Sequence, residues 1–261
     1  MSTTVAASLT LSSPDPATAL LQVAVAHPDG EQLTVLTDGR PVPAEEIVVA
    51  GARVHRLALP GGETTISYSA SVETGGSALP VTSDDWAVAL RPSRYCPSDQ
   101  LEGFAAAEFD SSLPRAELVA SVAGWVNRRL LYAAGASRPV DTAVDTLLAG
   151  QGVCRDYAHL TTTLLRALEV PARLVAVYAP GLDPMDFHAV VEADVDGFWC
   201  VVDATRLAPT SSLVRICSGR DAADTAFLTT LGGRPRLTGM QVTATVDGDL
   251  PAPDDRPVPL P

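Results

Sequence analysis

The chain has 261 residues, 46% of them hydrophobic, and a formal net charge of −13 at pH 7. That length and apolar content suffice for a sizeable core in one large or two smaller globular domains. An isoelectric point near 4.6 argues against an electrostatic grip on nucleic acid or on an anionic membrane, since both need clustered Lys and Arg. Residues 1–11 have neither a basic segment nor a sustained apolar run, so we expect a cytoplasmic protein that makes no membrane contact.

Short apolar runs predict a series of strands in the first seventy residues. The predicted strands cover residues 8–11, 19–26, 32–36, 47–49, 54–59 and 64–72. Turn residues such as Asp38-Gly39 separate them, a pattern typical of a small antiparallel β-sandwich. We therefore assign residues 1–80 to an N-terminal β domain with a structural role, and we expect its two histidines, His27 and His55, at the surface or a sheet edge.

Helical periodicity replaces this pattern after a linker that runs from Glu73 to about Pro97 and is interrupted by the apolar run 86–90. The predicted helix starts are Ser98 or Asp99, Pro114, and Asp141 or Thr142. Gly150 closes the last of these helices, which is short.

Strands return after residue 172. They are predicted at 173–178, 187–193, 198–203, 213–217 and 240–246. Helices followed by strands indicate an α+β core over residues 81–247. The remaining residues, 248–261, are rich in Pro and Asp, and we expect them to form a flexible tail.

A glycine-rich turn, residues 150–153, delivers Cys154 into the first turn of an apolar helix. A thiol there faces the positive end of the helix dipole and unpaired backbone N–H groups, which favour its thiolate and supply a first oxyanion donor. A free cysteine taken at random is more often a small core residue. The Gly-x-Gly-x-Cys turn instead makes Cys154 the candidate nucleophile.

The runs 187–193 and 198–203 are joined by Asp196-Gly197 and predict a hairpin. A two-residue turn would place Asp203 diagonally across from His188, and a four-residue turn would place the two directly opposite each other. Both registers put the two side chains on the same face, because side-chain direction along a strand has a period of two. We therefore predict that the imidazole and the carboxylate meet.

Three other polar residues compete for a role beside the nucleophile. His159 lies roughly 140° around the helix from Cys154, so we expect it to be a packing residue, and the pair cannot chelate a metal. Asp186 shares a strand face with His188 without converging on it as a cross-strand neighbour does. Asp156 lies in the first helical turn, where the dipole favours a carboxylate regardless of catalysis.

The four cysteines have no regular spacing and no CxxC pair, so we expect reduced thiols rather than a disulfide framework. Cys200 and Cys217 lie in apolar strands and are predicted to be core residues. Cys96 lies in a loop and is left unassigned. The spacing of the cysteines does not match that of a metal site, and we expect no cofactor.

Five stretches of the chain carry a recognisable set of motifs: residues 152–160, 187–192, 201–205, 91–99 and 219–224. The first three resemble the core motifs of the bacterial transglutaminase-like superfamily, and the other two resemble segments that recur in its members with an N-terminal β domain. The resemblance implies a papain-like core, with helices packed on an antiparallel sheet, preceded by a small β-sandwich domain. It further implies that Cys154 is the nucleophile, His188 the general base and Asp203 the carboxylate that orients it.

The expected chemistry is acyl transfer or amide hydrolysis through a thioester on Cys154, with a protein or peptide substrate that offers a glutamine side chain or another amide. A cysteine peptidase of the same fold, or a catalytically silent binding protein, remains an alternative. Arg155 stands where animal transglutaminases have Trp, and no acidic loop resembles their calcium sites, so calcium activation is not implied. The second oxyanion donor is unassigned.

Overall fold

A computed structural model describes residues 2–73, 78–252 and 256–260 of the chain. Its sixteen described strands are β1 (Ser2–Ser13), β2 (Ala17–Leu21), β3 (Gly30–Thr37), β4 (Arg40–Pro41), β5 (Ala44–Val49), β6 (Ala52–Leu59), β7 (Gly62–Glu73), β8 (Leu131–Tyr132), β9 (Gln151–Gly152), β10 (Ala172–Tyr178), β11 (Phe187–Val195), β12 (Phe198–Val202), β13 (Val214–Gly219), β14 (Leu228–Leu231), β15 (Arg236–Val246) and β16 (Val258–Pro259). Its described α-helices are α1 (Ser83–Ala89), α2 (Glu102–Glu108), α3 (Arg115–Arg129), α4 (Ala143–Ala149), α5 (Cys154–Ala167) and α6 (Ala222–Thr225).

The N-terminal strands form two antiparallel sheets that share one apolar core. The sheet orders are β15-β1-β7-β3-β4 and β14-β2-β6-β5. The alternation of side chains in β1 explains why this sequence forms a half-buried strand. Val5, Ala7, Leu9 and Leu11 are buried, whereas Ser8 is exposed and Thr10 is partly exposed. Burial of every second side chain holds the two sheets together and confirms the predicted strand-rich N-terminal region.

Strands β14 and β15 correct one part of the predicted domain organisation. The sequence places the strand 240–246 in the α+β core over residues 81–247. In the structure this strand is part of β15, which pairs with β1 of the N-terminal region, from Thr3 opposite Val246 to Ser12 opposite Arg236. Strand β14 pairs with β2 in the other N-terminal sheet. The physical reason is that β1 and β2 would otherwise present open edges, and periodicity identifies a strand without identifying its partner.

The remaining large sheet, ordered β13-β10-β11-β12-β16, forms the core together with α5. Helix α5 is almost entirely buried, and its Leu160, Leu164 and Leu165 pack against Leu174 and Val191 of the sheet. Helices packed on an antiparallel sheet confirm the predicted α+β fold. None of the described helices is long and apolar enough to cross a membrane.

The tail prediction is wrong for residues 256–260. Strand β16 pairs with β12, and Leu260 is buried in an apolar cluster with Val175, Val190 and Val201. Two apolar side chains, Val258 and Leu260, give this segment something to bury despite the Pro-rich sequence before it. Residues 253–255 and 261 lie outside the described residues.

Two further expectations need correction. The predicted linker contains α1, whose N-cap Thr82 and third residue Asp85 form a reciprocal capping box; residues 74–77 of that linker lie outside the described part. His55 is buried rather than exposed, because β6 lies between β2 and β5, and its Nε2 is 3.4 Å from Oε2 of Glu46. His27 is exposed, as expected.

A buried ion cluster fixes the strand that carries His188. Glu192 of β11 has no solvent exposure and accepts hydrogen bonds from Arg215 of β13 (Nη1 to Oε2, 2.9 Å) and Arg173 of β10 (Nε to Oε2, 2.8 Å). Arg215 also donates to the backbone carbonyl of Leu260. Two guanidinium groups compensate the buried carboxylate, so three adjacent strands are tied together beside the site.

Candidate active site

The turn before α5 shows why glycine is needed on both sides of Gln151. Gly150 ends α4 in the left-handed conformation, with φ of 67°. A Cβ on Gly152 would lie 2.6 Å from Cβ of Asp156, which is closer than real atoms approach. The Asp156 carboxylate uses that space to accept a hydrogen bond from the backbone N–H of Val153 at 2.9 Å. The turn therefore delivers Cys154, half-buried, as the first residue of α5.

Asp156 and Arg155 support this turn. The Asp156 side chain is 1% exposed and lies 3.1 Å from a terminal nitrogen of Arg155. The same guanidinium nitrogen donates to the backbone carbonyl of Arg138 at 2.8 Å and to the hydroxyl of Ser137. Both residues thus hold the backbone around Cys154, and Asp156 caps the helix as its position predicted.

The hairpin of β11 and β12 has the two-residue-turn register, with Val195 opposite Phe198 and Asp196-Gly197 in the turn. Both turn residues have positive φ, 54° and 87°, as this tight turn requires. His188 therefore lies diagonally across from Asp203, and its Nε2 is 2.8 Å from the Asp203 Oδ2. The predicted meeting of imidazole and carboxylate is present in the structure.

Thr205 holds the Asp203 carboxylate and was not singled out from the sequence. Its hydroxyl lies 2.8 Å from Oδ1 and 2.9 Å from Oδ2, and its backbone N–H donates to Oδ1 at 2.8 Å. Asp-x-Thr, in which an aspartate accepts from the backbone two residues later, is a local turn signal that could have indicated this role. Thr205 thereby fixes the carboxylate that faces His188.

His188 interacts with Asp203 and with the Cys154 thiol. Since Nε2 is bonded to Asp203, Nε2 carries the proton in the neutral ring, and the buried Nδ1 is the nitrogen that is free to interact with the Cys154 side chain. Burial by itself lowers the pKa of His188, but the charge of Asp203, its hydrogen bond and the Cys154 thiol together raise that pKa to about 10. Burial favours protonation of Asp203, yet the His188 charge and the Thr205 hydrogen bonds hold the pKa of Asp203 below its usual value. The Asp203 carboxylate therefore stabilises the imidazolium form of His188 beside the Cys154 sulfur.

Tyr132 lies at the same site and was missed from the sequence. The backbone N–H of Cys154 donates to its phenol oxygen, and burial, together with the Cys154 charge, raises the pKa of Tyr132 to about 12. The parallel pairing of β8 with β9 places Tyr132 beside Gly152, and its ring contacts Tyr157 at a centroid distance of 5.9 Å. No local pattern links Tyr132 to a cysteine 22 residues later, because only this pairing brings them together.

His159 and Asp186 take other positions. The His159 ring is fully buried, stacks on Tyr95 at 5.2 Å and accepts a hydrogen bond at Nε2 from the backbone N–H of Ala222. Burial lowers the pKa of His159 to about 4, so the ring is neutral at pH 7. Asp186 is exposed, and its carboxylate accepts from the N–H of Phe187. The geometry thus agrees with a packing role for His159.

The two recurring segments, 91–99 and 219–224, pack against each other beside the site. Asp221 accepts a hydrogen bond from the backbone N–H of Tyr95 at 2.9 Å. Arg166 of α5 donates to backbone carbonyls in both segments, at Arg91 and at Arg220. These contacts explain why two segments distant in sequence belong to one structural unit.

Cys154 and His188 open onto a cavity of about 550 Å³. Its lining is mostly apolar and includes Phe187, Ile216, Ala223, Phe227 and Met240. Among the described residues, no group of three His, Cys, Asp or Glu side chains is arranged to hold a metal ion. Cys96, Cys200 and Cys217 are buried free thiols, as predicted for the latter two.

Comparison with known proteins identifies the superfamily to which the chain belongs. The family model of the transglutaminase-like superfamily matches residues 104–204, which include Cys154, His188 and Asp203. A crystal structure from Cytophaga hutchinsonii, described as a candidate cysteine protease, is 30% identical, with a TM-score of 0.90 over 100% of this chain and 98% of that one. An uncharacterized protein of Mycobacterium leprae is 26% identical over 192 residues, or 66% of this chain and 69% of its own. The chain therefore belongs to the transglutaminase-like superfamily.

Proposed function

We propose that this protein is an enzyme that forms a thioester on Cys154 and transfers the acyl group to an amine or to water. The observation that carries the proposal is the buried His188 ring, whose Nε2 is held by Asp203 and which also interacts with the side chain of Cys154. A nucleophile, a proton carrier and a group that fixes the ring are the three requirements of this chemistry.

The reaction begins with attack of the Cys154 sulfur on a carboxamide or peptide carbonyl. The proton on His188 Nδ1 passes to the departing ammonia or amine, and the carbon–nitrogen bond breaks to leave a thioester. A water molecule or an acceptor amine then gives a proton to Nδ1 and attacks the thioester, which releases the Cys154 thiolate. Asp203 keeps the Nε2 proton in place throughout, so the ring always presents Nδ1 to the reacting atoms.

The negative oxygen of each tetrahedral intermediate needs donors. The backbone N–H of Cys154 is one, and the phenol of Tyr132, which already contacts that N–H, is our candidate for the second. A raised pKa keeps the phenol protonated at neutral pH, so it can donate a hydrogen bond. On binding, the substrate carbonyl oxygen would replace the phenol oxygen as acceptor of the Cys154 N–H and would accept a second hydrogen bond from the Tyr132 hydroxyl.

Selective alkylation tests the nucleophile. With iodoacetamide near pH 7, we expect Cys154 to react far faster than Cys200 or Cys217, as followed by peptide mass spectrometry. His188→Ala should slow the reaction at Cys154 alone, because it removes the partner of the thiolate. Equal, slow labelling of all three cysteines would sink the proposal and favour a catalytically silent binding protein.

A cysteine peptidase is the second candidate, and the description of the Cytophaga hutchinsonii protein as a candidate cysteine protease favours it. Incubation of the protein with a panel of glutamine peptides and simple amides distinguishes a peptidase from a transglutaminase-like enzyme. Ammonia release or amine incorporation at glutamine would indicate transglutaminase-like chemistry, and new amino termini would indicate a peptidase. In either case a thioester on Cys154 should be trapped by mass spectrometry after rapid acid quenching.

A further inference from the structure

The cavity beside Cys154 has a size and a lining that indicate what it binds. We propose that it is a binding site for a large, uncharged apolar group carried by the acyl donor next to the carbonyl that Cys154 attacks. The inference rests on the proposed function, since it concerns the same thiol. It adds a specificity site and a substrate class to that function.

The volume of the cavity favours a large group. At about 550 Å³ it falls among pockets that hold small molecules, which run to roughly 300–1,000 Å³. The carboxamide end of a glutamine side chain would fill only a minor part of it. Cys154 and His188 themselves line the cavity, so a group bound there is adjacent to the reacting carbonyl.

The walls of the cavity are built from rings and aliphatic side chains. Phe187 stacks on Phe227 with ring centroids 5.0 Å apart, and Tyr178 supports Phe187 from 5.5 Å. Leu174 and Ile216 contribute further apolar surface. An apolar group that enters this space removes both its own surface and these side chains from water, which is favourable.

The charged groups of the lining do not provide a counter-ion for a charged substrate. Apart from the reacting groups Cys154 and His188, the described lining residues that carry a charge at pH 7 are Arg155 and Asp186. One terminal nitrogen of Arg155 is occupied by Asp156 and by the Arg138 carbonyl. Asp186 lies at the exposed rim. A charged group would lose hydration on entry, the only carboxylate in the described lining lies at an exposed position, and the net charge of −13 further opposes acidic substrates.

One wall of the cavity comes from the returning C-terminal strands. Thr229 of β14 and Met240 of β15 line it, although both strands belong to the N-terminal sheets. Ala223 of α6 lines it beside them and is exposed. Donor specificity is therefore set partly outside the segment that carries the thiol and the imidazole.

The test uses the full-length protein and a set of iodoacetamides that differ in one substituent on nitrogen. The substituents are hydrogen, phenethyl, 2-carboxyethyl and 2-aminoethyl, and each rate at Cys154 is divided by the rate with free cysteine. We expect the phenethyl reagent to be favoured over the unsubstituted one by about tenfold or more, with saturation at high concentration. We expect neither charged reagent to be favoured.

Variants locate the effect in the cavity. Met240→Lys should abolish the preference for phenethyl, because it places a charge in the apolar wall. Gln241→Lys is the matched control: it is exposed on the opposite face of β15 and should keep the preference. Ala223→Phe, at an exposed position, should also reduce the preference by filling space, and it gives a second result if Met240→Lys does not fold.

The outcomes separate this inference from the proposed function. A fast reaction with iodoacetamide but no preference for phenethyl, or a preference for the aminoethyl reagent, would overturn the apolar site and leave the nucleophile intact. A preference unaffected by both cavity variants would also overturn it. A Cys154 no more reactive than Cys200 would remove the proposed function and the inference together.

Discussion

Thr205 contributes two kinds of hydrogen bond to the Asp203 carboxylate, one from its hydroxyl and one from its backbone. Thr205→Val keeps the shape and the backbone bond but removes the hydroxyl. We expect the free energy of unfolding to fall by roughly 1.5–3 kcal/mol, the range for hydrogen bonds to charged groups, as measured by urea denaturation. We also expect slower alkylation of Cys154, since Asp203 is less firmly held.

Thr210→Val is the matched control for this change. The Thr210 hydroxyl is buried and has no hydrogen-bond partner among the described residues, so its removal should be neutral or stabilising. Equal losses in the two variants would show that the Thr205 hydroxyl contributes nothing specific.

The pH dependence of stability reports on His188. Its pKa is raised in the folded protein to about 10, above the value near 6.5 expected in the unfolded chain. The stabilisation is therefore fully present below about pH 6.5 and is lost as pH rises through 10. We expect the wild type to lose more than about 1.4 kcal/mol over this interval relative to His188→Gln, because one pKa unit corresponds to that free energy.

His27→Gln provides the control for the pH measurement, because His27 is exposed on a turn of the N-terminal region. The loss of stability between pH 6.5 and 10 should persist in this variant, because His188 and Asp203 are intact. Parallel curves for the wild type and His188→Gln would contradict the ion pair.

The turn that begins α5 depends on Gly152 for space rather than for a left-handed backbone. Gly152→Ala would bring a methyl group within 2.6 Å of Cβ of Asp156 and disturb the bond from Asp156 to the Val153 N–H. We expect a loss of about 1–3 kcal/mol, typical of overpacking, and slower alkylation of Cys154. Both are measurable in one preparation by urea denaturation and mass spectrometry.

Gly103→Ala tests the same substitution where nothing lies within 4 Å of the added methyl. Gly103 is in α2, so alanine should stabilise the protein by up to about 1 kcal/mol and leave Cys154 unaffected. Stabilisation in both variants would mean that the Asp156 carboxylate does not need the space beside Gly152.

The first strand and the last long strand of the chain form one structural unit, because β15 pairs with β1 along most of its length. Ala244 of β15 is buried in the apolar core of the N-terminal sheets, whereas its neighbour Thr243 is exposed. Ala244→Asp places an unpaired charge in that core. We expect amides of residues 2–13 to exchange hydrogen much faster in this variant, as measured by mass spectrometry, and Thr243→Asp to leave them unchanged. Unaltered exchange in Ala244→Asp would mean that β1 does not depend on β15.

Much of this architecture was accessible from the sequence because it depends on local rules. Period-two alternation located the N-terminal strands. Asp141 or Thr142 was the predicted start of α4 and Gly150 its end, and Thr142 is the N-cap. The Asp196-Gly197 turn limited the hairpin to registers that place His188 and Asp203 on one face. These features follow from backbone geometry and side-chain direction over a few residues.

Only the tertiary structure decided which distant segments meet. The pairing of β8 with β9 brings Tyr132 to Cys154, and the pairing of β15 with β1 brings Met240 into the wall of the cavity. The burial of His55 and the return of Leu260 to the core were also decided at this level. The physical reason is that an apolar or strand-forming pattern shows that a surface must be covered, whereas the covering partner is selected by packing and edge pairing across the whole chain.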